Sequence, residues 1–359
     1  MDFIPFSRII GQEKAIQFLK RAMAQEKLPH AYLFVGIPGV GKTSTAVALA
    51  QGINCAQSKN GEGCGKCISC RQFVSGNFPD LRIVEPEGQF IKIEQVREID
   101  RSMGFKPVSG RYRVVIVRRA EMMTPEAANA FLKTLEEPPP GNILILNVTE
   151  PRDLLPTIVS RCQKVGFRPI PASLVAQGMV EKANLDYEKA LLLARIAEGS
   201  LGRALAMAEK GFLEKRQEYI SSLLSLRSIS DTEALEMALR FTGKEKKKEH
   251  DEKGEEGGKI EKEDIPLLFG VWKSCYRDMA LIRSEGPEDE IINRDLCLEL
   301  KKAAQGLKIN HLVSSLLLID QGESDFLHSR NTDLMMENLI LDLRRLMGEA
   351  GREGALRET

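Results

Sequence analysis

The chain predicts a parallel, doubly wound α/β domain followed by helical domains, and three observations predict it. A Gly-x-x-x-x-Gly-Lys-Thr loop at 36–43 stands directly behind the apolar run Ala31–Val35 and opens a helix-like stretch at 45–51. Two further runs, Arg113–Val117 and Asn142–Val148, have the continuous apolar character of strands buried on both faces. Beyond Pro169 the strand signal fades and helical periodicity takes over. Strands alternating with helices imply a parallel sheet, here over 1–167. A short helical region over 168–213 and a longer all-helical one over 214–350 complete the expected organisation.

Taken in order, residues 7–28 read as a loop and then an amphipathic helix, with Ile16, Leu19 and Met23 at steps of three and four. The Gly-rich loop and its helix follow, and then a cysteine-rich insertion at 55–70. Leu81–Val84 reads as a strand, and Ile93–Met103 as a helix with Val96 and Ile99 on one face. Residues 125–137 read as a helix, because Pro125 suits a first turn and Pro138-Pro139-Pro140 ends it. Residues 172–211 hold two or three short helices. The helical pattern resumes from 214, through Ile220, Leu223 and Leu224 and later Leu312, Leu316 and Leu317. It is interrupted at 243–264 by a Lys/Glu/Gly-rich run that buries too little surface to offset ordering entropy, so a solvated connection is expected there. Residues 352–359 are expected to fray.

Composition narrows the class. With 359 residues, 43% of them hydrophobic, two to three domains with sizeable cores are expected. The start, Met1-Asp2-Phe3-Ile4-Pro5, lacks the basic and apolar regions of a signal peptide. No run reaches the roughly 18 apolar residues of a membrane span. Lys plus Arg (51) equals Asp plus Glu (51), so net charge gives no indiscriminate attraction to nucleic acid or membrane, although local basic faces remain possible. These features describe a cytoplasmic, multidomain protein with no membrane partner.

The loop at 36–43 has the chemistry of a phosphate site. Its glycines turn backbone N–H groups inward, and the helix behind adds its N-terminal dipole. Lys42 would reach the β- and γ-phosphates and the Thr43 hydroxyl would ligate Mg²⁺; the bland alternative is a Gly-rich turn with no ligand. A nucleotide hydrolase with this loop needs an acidic residue at the end of a neighbouring buried strand. Behind Arg113–Val117 stand Arg118 and Arg119 instead, with Glu121 displaced along the chain, so bound ATP is expected to turn over poorly. Thr149, just past the Asn142–Val148 strand, either touches the γ-phosphate or caps the turn at Glu150-Pro151. Arg161, at the end of a short helix after Pro156, and Arg203, after Gly199-Ser200-Leu201-Gly202, are each either phosphate-seeking cations or ordinary surface ion pairs. Arg101, Lys106, Arg111 and Arg113 are available for phosphate contacts to DNA.

Cys55, Cys64, Cys67 and Cys70 fall within sixteen residues, among Gly61, Gly63 and Gly65. Four thiolates suit the tetrahedral preference of Zn²⁺ in a closed, structural site. Disulfides are disfavoured in a reducing compartment. An iron–sulfur cluster is the rival, since C-x2-C-x2-C also occurs in ferredoxins, but here the fourth cysteine lies upstream and no Cys-Pro follows. Cys162, Cys275 and Cys297 stand apart and read as buried thiols.

Together these pieces resemble the AAA+ clamp-loader family. The marks are Ile10-Gly11-Gln12, the loop at 36–43, the cysteine insertion behind its helix and Asn129-Ala130-Phe131-Leu132-Lys133-Thr134-Leu135-Glu136-Glu137-Pro138-Pro139. Ser160-Arg161-Cys162 and Gly199-Ser200-Leu201-Gly202-Arg203-Ala204-Leu205 complete the set. The resemblance covers about 1–210 well; the helical remainder, including 331–339, looks like the family's oligomerising collar. It implies an AAA+ P-loop domain, a small helical lid and a C-terminal all-α collar. It implies a nucleotide site at Ile10, Gly11, Gly36, Gly39, Gly41, Lys42 and Thr43, with Thr149 and Arg203 as its two sensors. Arg161 would be a finger acting in trans on a neighbour's ATP, and the four cysteines zinc ligands. The implied partners are the other clamp-loader subunits, tau/gamma and delta, in a hetero-pentamer that opens a sliding clamp onto primed DNA. Arg118-Arg119 fits a stator that binds nucleotide without turning it over; the alternative is an active motor of the tau/gamma type.

Overall fold

A computed structural model describes residues 3–209, 211–243, 264–328 and 331–355. The chain divides into two units, Met1–Leu205 and Ala206–Thr359. In the first, α1 (Glu13–Ala24) leads into β1 (Ala31–Val35), then α2 (Lys42–Ile53) and α3 (Ile68–Val74). β2 (Leu81–Val84), α4 (Ile93–Met103), β3 (Arg113–Val117) and α5 (Pro125–Glu136) follow. β4 (Asn142–Val148), α6 (Pro156–Arg161) and β5 (Gln163–Gly166) complete the sheet. The unit closes with α7 (Ala172–Ala183), α8 (Tyr187–Ile196) and the start of α9 (Leu201–Glu209).

The strands are all parallel, in the order β2-β3-β4-β1-β5. β3 and β4 are buried along their whole length, as continuous apolar runs require. On one face Val115, Val117, Leu144 and Leu146 pack with Val96 and Ile99 of α4 and Phe131 and Leu135 of α5. α2 lies against β3 and β4. α5 is defined at both ends: Thr124 Oγ1 accepts from the Ala127 amide (3.3 Å), Pro125 takes the first turn, and the helix stops at Glu136 before the prolines.

Three local features differ from the sequence reading. β5 was not expected, because Gln-Lys-Val-Gly at a sheet edge buries only Val165 and so carries no apolar run. α2 begins at Lys42, earlier than the apolar pattern implied, because Gly41 adopts φ 105° and turns the loop straight into the helix. Within the cysteine insertion α3 forms, carrying Cys70 and Phe73 into the interior.

In the second unit, α10 (Phe212–Ser225), α11 (Asp231–Phe241), α12 (Ile265–Arg283), α13 (Cys297–Ala304), α14 (Ile309–His328) and α15 (Thr332–Ala355) form an all-helical array. α12 is its central member, packed by α10, α13 and α14. Its Trp272 is fully buried and donates Nε1–H to the Tyr219 carbonyl at 2.9 Å. Arg216 is buried in a bidentate pair with Asp295 (2.7 and 2.9 Å) and donates to Asn293 Oδ1. Ile220, Leu223 and Leu312 are in the core as the periodicity implied, but Leu317 is 64% exposed. Of the charged run at 243–264, residues 244–263 lie outside the described residues, as do 356–359; α15 itself runs through Ala355, past the start of the stretch expected to fray. No helix among the described residues is long and apolar enough to cross a membrane.

Candidate nucleotide and metal sites

The loop at 36–43 lies at the carboxyl end of β1, where open parallel sheets bind ligands. Gly39 (φ 75°) and Gly41 (φ 105°) adopt backbone that side chains resist, and a Cβ on Gly36 would sit 2.6 Å from the Phe167 carbonyl. The Lys42 ammonium is buried and donates to the Gly36 carbonyl and, at 3.0 Å, to that of Ile37. Burial pushes its pKa down to about 8, against the pull of nearby Glu121. Beside it the Thr43 hydroxyl accepts a bond from the Asn147 side-chain amide at 3.1 Å.

These groups line a cleft of about 760 Å³, together with Ile10, Gly39, Gly41, Glu121 and Thr149. Arg8, Arg118, Arg119 and Lys182 add cations to its rim, and Ile9, Ile170, Leu201 and Leu205 an apolar wall. The cleft therefore offers loop amides and cations for an anion and an apolar surface for a flat ring, so its residues fit a nucleotide. Gln12 fastens its floor: the buried side chain donates to the carbonyls of Arg168 (2.8 Å) and Val40 (3.3 Å) and accepts from the Arg168 amide. The start of α9 closes onto the loop by backbone. Gly202 N–H donates to the Gly39 carbonyl at 2.9 Å and Ser200 Oγ to that of Pro38 at 2.8 Å.

The predicted residues divide by place. Ile10, Gly39, Gly41, Lys42, Thr43 and Thr149 line the cleft, while Gly36 shapes the loop and Gly11 (φ 73°) packs on Ile170. Arg203 donates its backbone amide to Ser200 Oγ (3.1 Å), and its side chain is not among the cleft lining. Arg161 lies outside this cleft, with Nη2 on Glu136 at 2.6 Å and Nη1 on the Thr157 carbonyl. Behind β3, Arg118 turns outward to Glu85 at 2.6 Å. Arg119 takes φ 52°, and through it the chain enters the turn Ala120–Met122, which returns Glu121 to the cleft. Desolvation raises the Glu121 pKa while the Lys42 and Arg119 charges oppose it; Thr149 Oγ1 donates to Oε1 at 3.4 Å.

Two polar residues escaped the sequence reading as site residues. Gln12 was visible in the Ile-Gly-Gln mark, but its bonds join segments 156 positions apart. Asn147 was hidden in an apolar run, although an amide inside a buried strand is itself a signal. One phosphate-contact candidate is corrected. Arg113 is buried and turned into the protein, donating to Asp80 and to the Ser102, Phe105 and Lys106 carbonyls rather than facing outward for DNA. Of the lone cysteines, Cys162 and Cys275 are buried, but Cys297 is only half-buried at the start of α13.

The Sγ atoms of Cys55, Cys64, Cys67 and Cys70 all lie within 4.8 Å of one another, and the Cys55–Cys67 pair is 3.8 Å apart. A thiolate tetrahedron about one ion, with metal–sulfur bonds of about 2.3 Å, has edges of about 3.8 Å. The cluster thus has the size of a one-ion site and is too tight for several irons. The amides of Lys66 and Cys67 point at Cys64 Sγ (3.4 and 3.3 Å) and lower that thiol's pKa to about 6, as a metal-binding thiolate needs. The insertion is tied to the domain through Glu62, which takes Lys20 (2.7 Å) and the Phe6 amide (2.9 Å).

A parallel sheet in this order, a Gly-Lys-Thr loop between β1 and α2 and a helical segment closing on that loop define an AAA+-type P-loop domain. Residues 11–171 match the family described as DNA polymerase III, delta subunit. DNA polymerase III subunit delta′ of Bacillus subtilis is 28% identical over 333 residues, 93% of this chain and 96% of that protein. Subunit tau/gamma of Haemophilus influenzae is 33% identical over 225 residues, 61% of this chain, and subunit tau of Escherichia coli is 33% identical over 239 residues, 65% of it. The chain spans only 33% and 37% of those two proteins. The chain is thus similar to DNA polymerase III clamp-loader subunits, and its match to the delta′ type runs along nearly its whole length.

Proposed function

We propose that this chain works in DNA replication as a delta′-type stator of a cytoplasmic clamp loader, holding nucleotide without turning it over. The observation that carries the reading is an intact phosphate loop beside a strand end with no carboxylate at 118 or 119, where Arg118 faces Glu85. Residues 168–213 serve as the lid, and 214–350 as the collar that joins tau/gamma and delta subunits in a hetero-pentamer. Lys42 and the loop amides hold the phosphates, Thr43 supports Mg²⁺, and Thr149 and Arg203 sense the γ-phosphate. Arg161, outside its own cleft, is the finger offered to the neighbouring motor, so the ring's ATP drives the sliding clamp open and onto primed DNA. Such a finger is worth about 10³–10⁵ in rate. The four cysteines hold one structural Zn²⁺, so metal analysis should find about one zinc per chain and Cys67→Ser should lose it.

The test is clamp- and DNA-stimulated ATP hydrolysis by the reconstituted complex. Arg161→Ala in this subunit should cut the rate by at least about a hundredfold, while Lys42→Ala leaves most of it. The reverse pattern would overturn the stator reading. One observation favours the motor alternative: the chain returns Glu121 to the cleft beside Lys42 and Thr149. Robust, Lys42- and Glu121-dependent turnover by the purified chain would establish that alternative.

A further inference from the structure

Asn147 is 3% exposed, sits near the carboxyl end of central strand β4, and gives its amide N–H to the Thr43 hydroxyl at 3.1 Å. Its Oδ1 has no hydrogen-bond partner, and neither has Glu121 Oε2, although both residues line the cleft. Buried polar atoms are usually satisfied, so unsatisfied oxygens on two residues of the same cleft mark a place prepared for something else. A hydroxyl that ligates a cation must present a lone pair in a fixed direction. An amide donating to the other lone pair fixes it, whereas a carboxylate would do so by accepting the hydroxyl proton.

We propose that Asn147 is the positioning residue of a Mg²⁺-nucleotide site, holding the Thr43 hydroxyl toward the cation in place of the carboxylates absent at 118 and 119. This rests on the nucleotide-binding reading of the cleft. Asn147 acts on the cation through Thr43. It supports the cation without adding negative charge, which suits a site that binds a Mg²⁺-polyphosphate and keeps it.

The experiment is a titration of the full-length chain with a fluorescent ATP analogue, in Mg²⁺ and in EDTA, with thermal unfolding as a fold check. Loss of such an outer partner costs about 10–100-fold in metal affinity. Asn147→Leu should weaken binding by about tenfold or more in Mg²⁺ and leave the EDTA value unchanged. Because the two residues act as one unit, adding Asn147→Leu to Thr43→Val should cost nothing further. An unchanged Mg²⁺ dependence in Asn147→Leu, an equal loss in EDTA, or an additive loss in the double variant would each overturn the proposal. If Asn147→Leu does not fold, Asn147→Asp decides: retained or increased Mg²⁺ dependence supports it, and a loss overturns it. Wild-type protein that binds no nucleotide, or binds it equally well as Lys42→Ala, would instead overturn the reading of the cleft itself.

Discussion

The two ends of the sheet hold two buried polar clusters, and they are built on opposite plans. At the amino end Asp80, fully buried before β2, accepts the amides of Val108 (2.8 Å), Ser109 (2.7 Å) and Gly110 (2.8 Å) and the guanidinium of Arg113 at 3.3 Å. Arg113 also donates from its Nη atoms to three carbonyls, so both Asp80 oxygens and both Nη atoms are engaged, while Asn142 Oδ1 on the paired β4 residue has no partner. At the carboxyl end Lys42 is only folded back onto its own loop, and Asn147 and Glu121 each keep an unused oxygen. Satisfied polar networks rigidify, whereas incomplete ones cost stability and are kept where a ligand completes them. The first cluster is a clamp on the loop between α4 and β3, and the second is a site.

The amino-end cluster can be broken most severely. Asp80→Ala leaves three amides and a buried guanidinium without their acceptor, and breaking a buried pair typically costs about 3–5 kcal/mol. Denaturant unfolding should show that loss, with nucleotide binding by the folded fraction unchanged. The carboxylate also sets a pH response. Despite the cost of desolvation, the amides and Arg113 hold the Asp80 pKa below its ordinary value. Its stabilisation is therefore complete above the usual carboxylate range and is lost as pH falls through the lowered value. Wild-type stability should show this acid limb, and Asp80→Asn, itself destabilised, should show less of it.

The carboxyl-end cluster should respond to pH in the other direction, and in binding. With its pKa lowered to about 8 by burial, Lys42 is charged at neutral pH and loses its proton well before an ordinary lysine. A polyphosphate binds the charged form, so below that value affinity is flat; above it the protein must take up a proton to bind. Nucleotide affinity should be about tenfold weaker at pH 9 than at pH 7. Lys42→Arg, which stays charged, should bind without that decline. A flat profile in the wild-type chain would mean that the folded-back ammonium is not the group that meets the phosphates.

Legibility followed the same division. The loop at 36–43, the buried strands and the cysteine quartet could be read because each is a local pattern with its own chemistry: backbone turn, apolar run, ligand spacing. The opposed clusters could not, because their partners are far apart in sequence. Asp80 meets amides 28 to 30 positions away, and Asn147 meets Thr43 across 104. Only the sheet order, with β4 between β3 and β1, brings the Asn147 amide to the loop. Arg113 shows the converse error. Its charge drew it into a list of phosphate contacts, and burial decided otherwise.

The smallest effect expected separates both clusters from a third polar contact, the Arg118–Glu85 pair. It lies at the carboxyl ends of β3 and β2, like the cleft, yet its side chains are 47% and 55% exposed. Exposed pairs of this kind contribute about 0–1 kcal/mol, because water screens them and two long side chains must be held in place. Arg118→Ala should therefore change unfolding free energy by less than about 1 kcal/mol. It should also leave nucleotide affinity within about twofold: Arg118 lines the cleft, but its guanidinium is engaged by Glu85, and the cleft has Lys42 and Arg119 for its anion. Comparing Arg118→Ala with Arg119→Ala sharpens the point, because of the two arginines it is Arg119 that acts, with Lys42, on Glu121. A large affinity loss in Arg118→Ala and none in Arg119→Ala would reverse the assignment. The cation pair behind β3 would then serve the bound nucleotide through its outward member, and nearness to the strand end would matter more than direction.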